Sequence, residues 1–130
     1  MPGPIRVLCI DDNADLAEVL ASAIGAEADM ECVGTRETAA DLAGEIERTT
    51  PDVALVDLTI PGCDTLAEVA TAARQYPGTR IVVMSGYDDD GTIESAIECG
   101  AWGFVPKDDG IDRVLLGIRT VHGGEIFRRR

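Results

Sequence analysis

The stretch Val53-Ala54-Leu55-Val56-Asp57 decides the fold, because four successive apolar residues lead directly into a carboxylate. A strand that is apolar at every position, rather than at alternate ones, is typical of a parallel sheet covered on both faces. This stretch is flanked by residues that stop or turn the chain, Thr50-Pro51 before it and Pro61-Gly62 after it. We therefore predict a central β-strand over residues 53–57 with Asp57 at its carboxyl end.

Further apolar runs alternate with helical patterns along the rest of the chain. Helices are predicted from apolar residues three or four positions apart, from capping residues such as Asn13, and from Gly or Pro stops. The predicted strands are residues 5–10, 30–34, 53–57, 80–85 and 102–106, and the predicted helices are residues 14–26, 38–48, 65–75, 91–99 and 111–122. Five successive βα units predict an α/β fold, a (βα)5 doubly wound sheet of five parallel strands with helices on both faces.

The bulk composition fits one domain with an aliphatic core. The chain has 130 residues, of which 45% are hydrophobic and only 4% are aromatic. Its formal net charge of −13 argues against nucleic-acid binding through this domain, because phosphate backbones need a basic face. No apolar run approaches the roughly 18 residues of a membrane span, and the first residues lack the regions of a signal peptide. We therefore expect a cytoplasmic protein without membrane contact.

Polar residues follow four of the predicted strands at the point where each strand ends. Asp11 and Asp12 follow the first strand, Asp57 ends the central one, Ser85 ends the fourth, and Lys107 follows the fifth. Carboxyl ends of parallel strands share one edge of a sheet, and open α/β sheets bind their ligands in the crevice there. The sequence therefore predicts one site that combines three carboxylates, a hydroxyl and the only lysine of the chain.

This set of side chains suits magnesium-assisted phosphoryl transfer. Three crowded carboxylates repel one another, and a hard divalent cation with oxygen ligands relieves that repulsion. We predict Asp12 and Asp57 as direct Mg²⁺ ligands, with Asp11 acting through water. Asp57 is the predicted nucleophile, because carboxylates can form aspartyl phosphates. Lys107 supplies a point charge and Ser85 a rotatable hydroxyl for the phosphoryl oxygens.

The motifs resemble those of response-regulator receiver domains, the CheY-like phosphoacceptor modules of two-component signalling. The resemblance covers essentially the whole chain, from Ile5 to about Phe127. The motifs that carry it are Ile10-Asp11-Asp12, Leu55-Val56-Asp57-Leu58, Ile60-Pro61-Gly62, Met84-Ser85-Gly86 and Gly103-Phe104-Val105-Pro106-Lys107. The flavodoxin-like strand order 2-1-3-4-5 is adopted from such doubly wound sheets, since composition alone cannot determine it.

The resemblance implies that Asp57 takes a phosphoryl group from a phosphohistidine of a sensor histidine kinase. It also implies a magnesium site at Asp12, Asp57 and the backbone carbonyl of Thr59. Ser85 would be the switch hydroxyl, and Phe104 the aromatic residue that swings inward when Ser85 moves. Such a chain is a signalling receiver that catalyses its own phosphorylation and slow dephosphorylation, rather than an enzyme acting on other substrates.

Two further positions are expected to set the lifetime of the acyl phosphate, since Thr59 and Tyr87 lie two residues beyond Asp57 and Ser85. The chain also departs from the family pattern twice. Asp108 stands where the family commonly has a proline after the lysine, joined by a cis bond, and the isomer of the Lys107–Asp108 bond is left open. Phe104 replaces the usual tyrosine, which removes a hydroxyl but keeps the ring.

The expected domain is residues 1–127, followed by a basic tail or the start of a linker at residues 128–130. Residues 121–127 resemble the end of receivers that precede a LuxR-type helix-turn-helix output domain, and whether such a domain follows Arg130 is left open. Homodimerisation on phosphorylation is likewise left open.

The main alternative is a binding-only pseudo-receiver that is not phosphorylated. A phosphatase of the haloacid-dehalogenase type needs a second Asp where Thr59 stands. A flavodoxin-type cofactor carrier needs a hydroxyl-rich phosphate loop where Asp11-Asp12 stand. The sequence therefore disfavours both the phosphatase and the cofactor carrier.

Overall fold

The computed structural model describes residues 3–60, 62, 64–86 and 90–128. Strands and helices alternate along the chain. The strands are β1 (Ile5–Ile10), β2 (Met30–Arg36), β3 (Val53–Asp57), β4 (Arg80–Ser85) and β5 (Gly103–Pro106), and the helices are α1 (Ala14–Gly25), α2 (Leu42–Thr49), α3 (Thr65–Gln75), α4 (Asp90–Glu98) and α5 (Ile111–His122). A short 3-10 turn over Lys107–Asp109 joins β5 to α5.

The five strands form one parallel sheet in the order β2-β1-β3-β4-β5, which confirms the predicted fold class and strand order. The pairing register brings the carboxyl ends of the inner strands level with one another. Ile10 pairs with Val56, Asp57 pairs with Met84, and Ser85 pairs with Pro106. The polar residues that follow these strands therefore lie along one edge of the sheet.

Two hydrophobic clusters cover the two faces of the sheet. Alternate residues of a strand point to opposite faces, so Ala54 and Val56 join one cluster while Val53 and Leu55 join the other. Helices α2, α3 and α4 contribute to the first cluster, and α1 and α5 to the second. Every residue of β3 is buried, as its continuous apolar sequence predicts. Each fully buried aliphatic side chain stabilises the fold by about 1.5–3 kcal/mol relative to an exposed one.

Helix α2 begins four residues later than predicted. The predicted start was residue 38, but the Thr38 hydroxyl accepts a hydrogen bond from the Ala40 amide at 3.1 Å, which is a local turn. Asp41 then adopts a left-handed conformation with φ of 55° and caps the helix by accepting from the Gly44 amide. The side-chain turn and the cap therefore end the loop at Asp41, and the helix starts at Leu42.

The remaining differences from the prediction are of one or two residues, and β1, β3, β4, α3 and α5 have the predicted bounds. Strand β2 continues to Arg36 rather than stopping at Gly34, because its pairing with β1 continues beyond an irregularity near Val33. Helix α1 ends at Gly25, helix α4 runs from Asp90 to Glu98, and strand β5 begins at Gly103. These shifts leave the predicted site residues in place.

The chain end adds a strand-like contact at the outer edge of β5. We call residues 125–128 the strap. Its Phe127 forms a parallel β-bridge with Gly103, in which the Phe127 amide donates to the Trp102 carbonyl and the Phe127 carbonyl accepts from the Phe104 amide. The strap thus pairs with an edge strand whose backbone groups would otherwise face water. Within the described residues, no helix is long and apolar enough to span a lipid bilayer.

Candidate phosphoacceptor site

Three carboxylates meet at the carboxyl edge of the sheet. Asp11 follows β1 and Asp57 is the last residue of β3, and both are fully buried, whereas Asp12 is exposed. One oxygen from each carboxylate lies within 4.8 Å of the others. The strand register produces this cluster, since Ile10 and Val56 are paired neighbours and their following residues extend from the same edge.

Lys107 lies against this cluster from β5. Its Nζ donates to Asp57 Oδ2 at 2.9 Å and lies 3.5 Å from Asp11 Oδ2. The other carboxylate oxygen of Asp57 accepts from both the amide and the hydroxyl of Thr59, each at 3.0 Å. Both oxygens of Asp57 are therefore held by donors, which fixes the orientation of the carboxylate.

The pKa values of the two buried acids are shifted in opposite directions. Burial raises the pKa of Asp57, but the hydrogen bond from Lys107 and those from Thr59 outweigh it and leave the pKa below its ordinary value. Burial dominates at Asp11 and holds its pKa above the ordinary value, although the Asn13 amide donates to Asp11 Oδ1 at 2.9 Å. The pKa of Lys107 is lowered by burial but raised more strongly by its two acidic neighbours, so the ammonium form is favoured.

The residues of this cluster fit a hard divalent cation. Asp11 Oδ2 is buried and receives no hydrogen bond within the described residues, and the ammonium group 3.5 Å away, that of Lys107, is shared with Asp57. A further cation would offset the cost of burying this oxygen. Three carboxylates against one ammonium also leave a local excess of negative charge. Oxygen ligands with this charge are those that Mg²⁺ prefers.

Ser85 ends β4 at the sheet edge that carries the acidic cluster, and Phe104 lies on the neighbouring strand β5, paired with Val83. Ser85 is buried at the end of β4 and pairs with Pro106, the residue before Lys107. Phe104 is only 1% exposed and belongs to the core cluster that includes Ile93 of α4. Its ring is thus already inside the protein in this conformation. Tyr87, the other residue expected to tune the acyl phosphate, lies outside the described residues.

The structure adds contacts that the sequence-based prediction did not include. The Asn13 amide binds the carboxylate of Asp11, although Asn13 was predicted only as a helix cap. The spacing of two residues between an Asp and an amide donor is typical of an Asx turn and could have indicated this contact. The Lys107–Asp108 bond, whose isomer was left open, is trans, like every peptide bond in the described ranges.

Comparisons with known proteins agree with this geometry. The family model of the response regulator receiver domain matches residues 7–119. The transcriptional regulatory protein YhcZ of Bacillus subtilis is 31% identical over 121 residues, which cover 93% of this chain and 56% of YhcZ. The oxygen regulatory protein NreC of Staphylococcus haemolyticus is 27% identical over 124 residues, covering 95% of this chain and 57% of NreC. The chain therefore spans about half the length of these relatives.

Solved structures support the same relationship. The signal receiver domain of NarL from Mycobacterium tuberculosis is 29% identical and superposes with a TM-score of 0.86, covering 95% of this chain and all of the NarL domain. The receiver domain of Thermotoga maritima CheB is 25% identical with a TM-score of 0.84, covering 94% and 98% of the two chains. From the extent of the family match and the shared architecture, we conclude that this chain belongs to the receiver-domain family of two-component response regulators.

Proposed function

We propose that Asp57 is the phosphoacceptor of this receiver domain and that it works with Mg²⁺. The observation that carries the proposal is the contact of Lys107 with Asp57 at 2.9 Å, within a cluster of three carboxylates. This arrangement places a nucleophilic carboxylate beside the Lys107 ammonium group. That group can turn towards the phosphoryl oxygens once they carry the negative charge. Lysine and aspartate also meet in structural ion pairs, but here the same ammonium group lies 3.5 Å from a second buried carboxylate oxygen, Asp11 Oδ2, which receives no hydrogen bond within the described residues.

In the proposed reaction, a carboxylate oxygen of Asp57 attacks the phosphorus of a phosphohistidine. A new O–P bond forms while the N–P bond breaks, and the imidazole leaves with the electron pair. The ammonium of Lys107 stabilises the negative charge on the transferred group. Asp11, Asp12, Asp57 and the backbone carbonyl of Thr59 are the proposed residues for holding Mg²⁺, which when bound neutralises charge on the attacking and transferred oxygens.

The proposed switch connects Ser85 to Phe104. The phosphoryl group adds nearly two negative charges at the crevice, and the Ser85 hydroxyl would move to donate to it and draw the β4–α4 loop along. In this structure Phe104 already occupies an inward position. The conformation therefore corresponds to the inward end of the proposed switch, and the unphosphorylated ensemble would exchange between this position and an outward one. Thr59, which is exposed, and Tyr87 are the residues proposed to control access of water to the acyl phosphate.

We propose residues 1–127 as the receiver and residues 128–130 as the start of a linker or a basic tail. The proposed phosphodonor is a sensor histidine kinase, and a homodimer formed on phosphorylation is a further proposal. The relatives are a transcriptional regulatory protein and an oxygen regulatory protein, which supports a role in regulation. Any DNA contact would then be made by residues outside the receiver domain.

Intact-mass spectrometry after incubation with phosphoramidate and MgCl2 tests the proposal. We expect the mass to increase by one phosphoryl group, and we expect this gain to disappear in Asp57→Asn and when EDTA replaces MgCl2. Asp112→Asn is a matched control, because Asp112 lies in the first turn of α5 and is not one of the three carboxylates of the cluster. No mass gain in the wild-type protein, with purified kinase as well as with phosphoramidate, would instead support the pseudo-receiver.

A further inference from the structure

Two thiols meet between the edge strand β2 and its neighbour β1. Within the described residues β2 is the outermost strand and pairs only with β1, and this pairing places Cys32 opposite Val7 and Thr35 opposite Cys9. The side chains of Val7 and Cys9 point to the same face of the sheet, because they are two residues apart in one strand. Cys32 therefore lies diagonally across from Cys9, and both cysteines belong to the second hydrophobic cluster.

The pairing of β2 with β1 is irregular directly beside Cys32. The register shifts between Val7 and Leu8, so that Leu8 pairs with Gly34 and Val33 is an extra residue in β2. Val33 packs against the first hydrophobic cluster, on the opposite face from Cys32. An extra residue of this kind disrupts the ladder locally and bends the strand. This part of the edge strand can therefore adjust its distance from β1 more easily than a regular ladder could.

The two thiols are hydrogen-bonded to each other. The Cys9 thiol donates to Cys32 Sγ, and Cys32 Sγ lies 3.6 Å from the carbonyl oxygen of Gly34. The hydrogen bond from Cys9 is the main reason why the pKa of Cys32 is lowered to about 6, although partial burial opposes it. Cys32 is half-buried and Cys9 is fully buried. A reagent in solution can therefore reach Cys32 directly, but it can reach Cys9 only through Cys32.

Packing alone does not account for this pair. A buried cysteine often serves only as a small apolar residue, and Cys9 fills such a place in an aliphatic cluster. That role needs no second thiol at hydrogen-bonding distance, and a valine or an alanine would fill either position. Neither thiol takes part in the phosphoryl chemistry proposed for Asp57. The juxtaposition of a reachable thiol with a buried one is the arrangement that thiol–disulfide exchange requires.

From this placement we infer that Cys9 and Cys32 are a reversible dithiol–disulfide couple, which low-molecular-weight disulfides of the glutathione type oxidise. The Cys32 thiolate attacks one sulfur of the small disulfide, whose S–S bond breaks as a thiolate leaves with the electron pair and takes up the proton that Cys32 released. The Cys9 sulfur then attacks Cys32 Sγ, and its proton goes to the second departing thiolate. Two protein thiols are thus oxidised to one disulfide, and the small disulfide is reduced to two thiols.

The couple lies close to the acidic cluster. Asp11 comes two residues after Cys9, and the Asp11 amide donates to the carbonyl of Arg36, at the end of β2, at 2.9 Å. A disulfide that draws β2 towards β1 therefore shifts both supports of the Asp11 backbone. This consequence rests on the proposed function, whereas the couple itself does not. We expect the oxidised domain to reach a lower phosphorylated fraction than the reduced domain at the same concentrations of phosphoramidate and MgCl2.

Tryptic peptide mapping tests the couple in the full chain. No lysine or arginine lies between Arg6 and Arg36, so one tryptic peptide, residues 7–36, contains both cysteines, while Cys63 and Cys99 fall in other peptides. The protein is equilibrated with oxidised and reduced glutathione, alkylated and digested. We expect peptide 7–36 to lose two hydrogen atoms and to carry no alkyl group. Reduction with dithiothreitol before alkylation should restore two alkyl groups.

Variants and the unfolded chain provide the controls. Cys32→Ser should leave Cys9 reduced and singly alkylated, because the buried thiol then has no path to glutathione. Cys99→Ser is the matched control, since Cys99 is also half-buried but packs against the other hydrophobic cluster, and it should behave like wild type. The urea-unfolded chain should need a ratio of oxidised to reduced glutathione about tenfold higher, because it must first close the loop between the thiols.

The outcomes separate the couple from the proposed function. A lasting glutathione adduct on Cys32, a disulfide that includes Cys63 or Cys99, or equal oxidation of the folded and unfolded chains would overturn the couple. A disulfide within peptide 7–36 and an unchanged phosphorylated fraction would support the couple and overturn its effect on Asp11. If neither redox form takes up a phosphoryl group, the proposed function fails, while a disulfide in peptide 7–36 still supports the couple.

Discussion

At the scale of single residues, Asp11 is a buried carboxylate whose charge is only partly compensated by Lys107. It is fully buried, its Oδ2 receives no hydrogen bond within the described residues, and its pKa is raised by that burial. Lys107, at 3.5 Å, is nearer to Asp57 than to Asp11. The charged form of Asp11 therefore destabilises the metal-free fold, and we interpret this as the cost of keeping a cation site ready.

Asp11→Asn should stabilise the metal-free protein and weaken Mg²⁺ binding. Asparagine keeps the shape and the acceptor for the Asn13 amide but removes the buried charge, so we expect about 1 kcal/mol more free energy of unfolding in EDTA. Urea denaturation checks this. Asp12→Asn, at an exposed position, is the matched control and should change the free energy of unfolding little. A loss of stability in Asp11→Asn would contradict this account of the site.

The same carboxylate predicts a pH dependence of the metal-free protein. Because the folded pKa of Asp11 lies above its unfolded value of about 3.9, the native state binds more protons in that interval, and the free energy of unfolding rises as pH falls through it. Asp57 has the opposite sign, since its folded pKa is lowered, and its contribution is lost at still lower pH. Urea midpoints measured in EDTA should therefore rise and then fall on acidification, and Asp11→Asn should remove the rise.

At the scale of elements, the strands followed the prediction more closely than helix α2 did. Strands β1, β3 and β4 have the predicted bounds because buried apolar stretches, residues 7–10, 53–56 and 81–84, make up most of each strand. The start of α2 was wrong because its outcome depended on competition between helical hydrogen bonds and the side chains of Thr38 and Asp41. That competition is decided by geometry which residue types alone do not determine.

Asp41→Ala should destabilise the fold through the start of α2. Alanine loses the acceptor for the Gly44 amide and is strained at φ of 55°, so we expect a loss of about 2 kcal/mol. Asp41→Asn keeps an acceptor and tolerates the left-handed conformation, so its free energy of unfolding should stay within about 0.5 kcal/mol of wild type. Equal losses in the two variants, measured by urea denaturation, would show that the cap and the backbone conformation are not the cause.

At the scale of the whole molecule, three of the 24 acidic residues of a chain with a net charge of −13 lie together at one sheet edge. The convergence of Asp11, Asp57 and Lys107 was predictable, because parallel strands end at a common edge. The strand order was not, and it was adopted from related sheets. The strap was also not predicted, because a four-residue segment carries no periodicity and its place depends on tertiary contacts such as that of Phe127 with Gly117.

If Mg²⁺ binds the folded cluster, as we propose, and not the unfolded chain, it should stabilise the domain by mass action. At one hundred times its dissociation constant, the gain is about 2.7 kcal/mol. Thermal unfolding should therefore shift upward with MgCl2 in the wild-type protein and much less in Asp57→Asn. NaCl of equal ionic strength controls for screening of the net charge. An equal shift with NaCl would attribute the stabilisation to screening rather than to a specific site.

The chain has a single lysine, and that lysine contacts the carboxylate of Asp57. Among its side chains, an acylating reagent therefore finds one ε-amino group, half-buried beside the reaction centre. Acylation at that nitrogen would report how tightly the ammonium is engaged by its neighbours, without any engineered label. The rate of acylation of Lys107 can therefore be used, without labelling, to follow the binding of ions or phosphoryl groups beside Asp57.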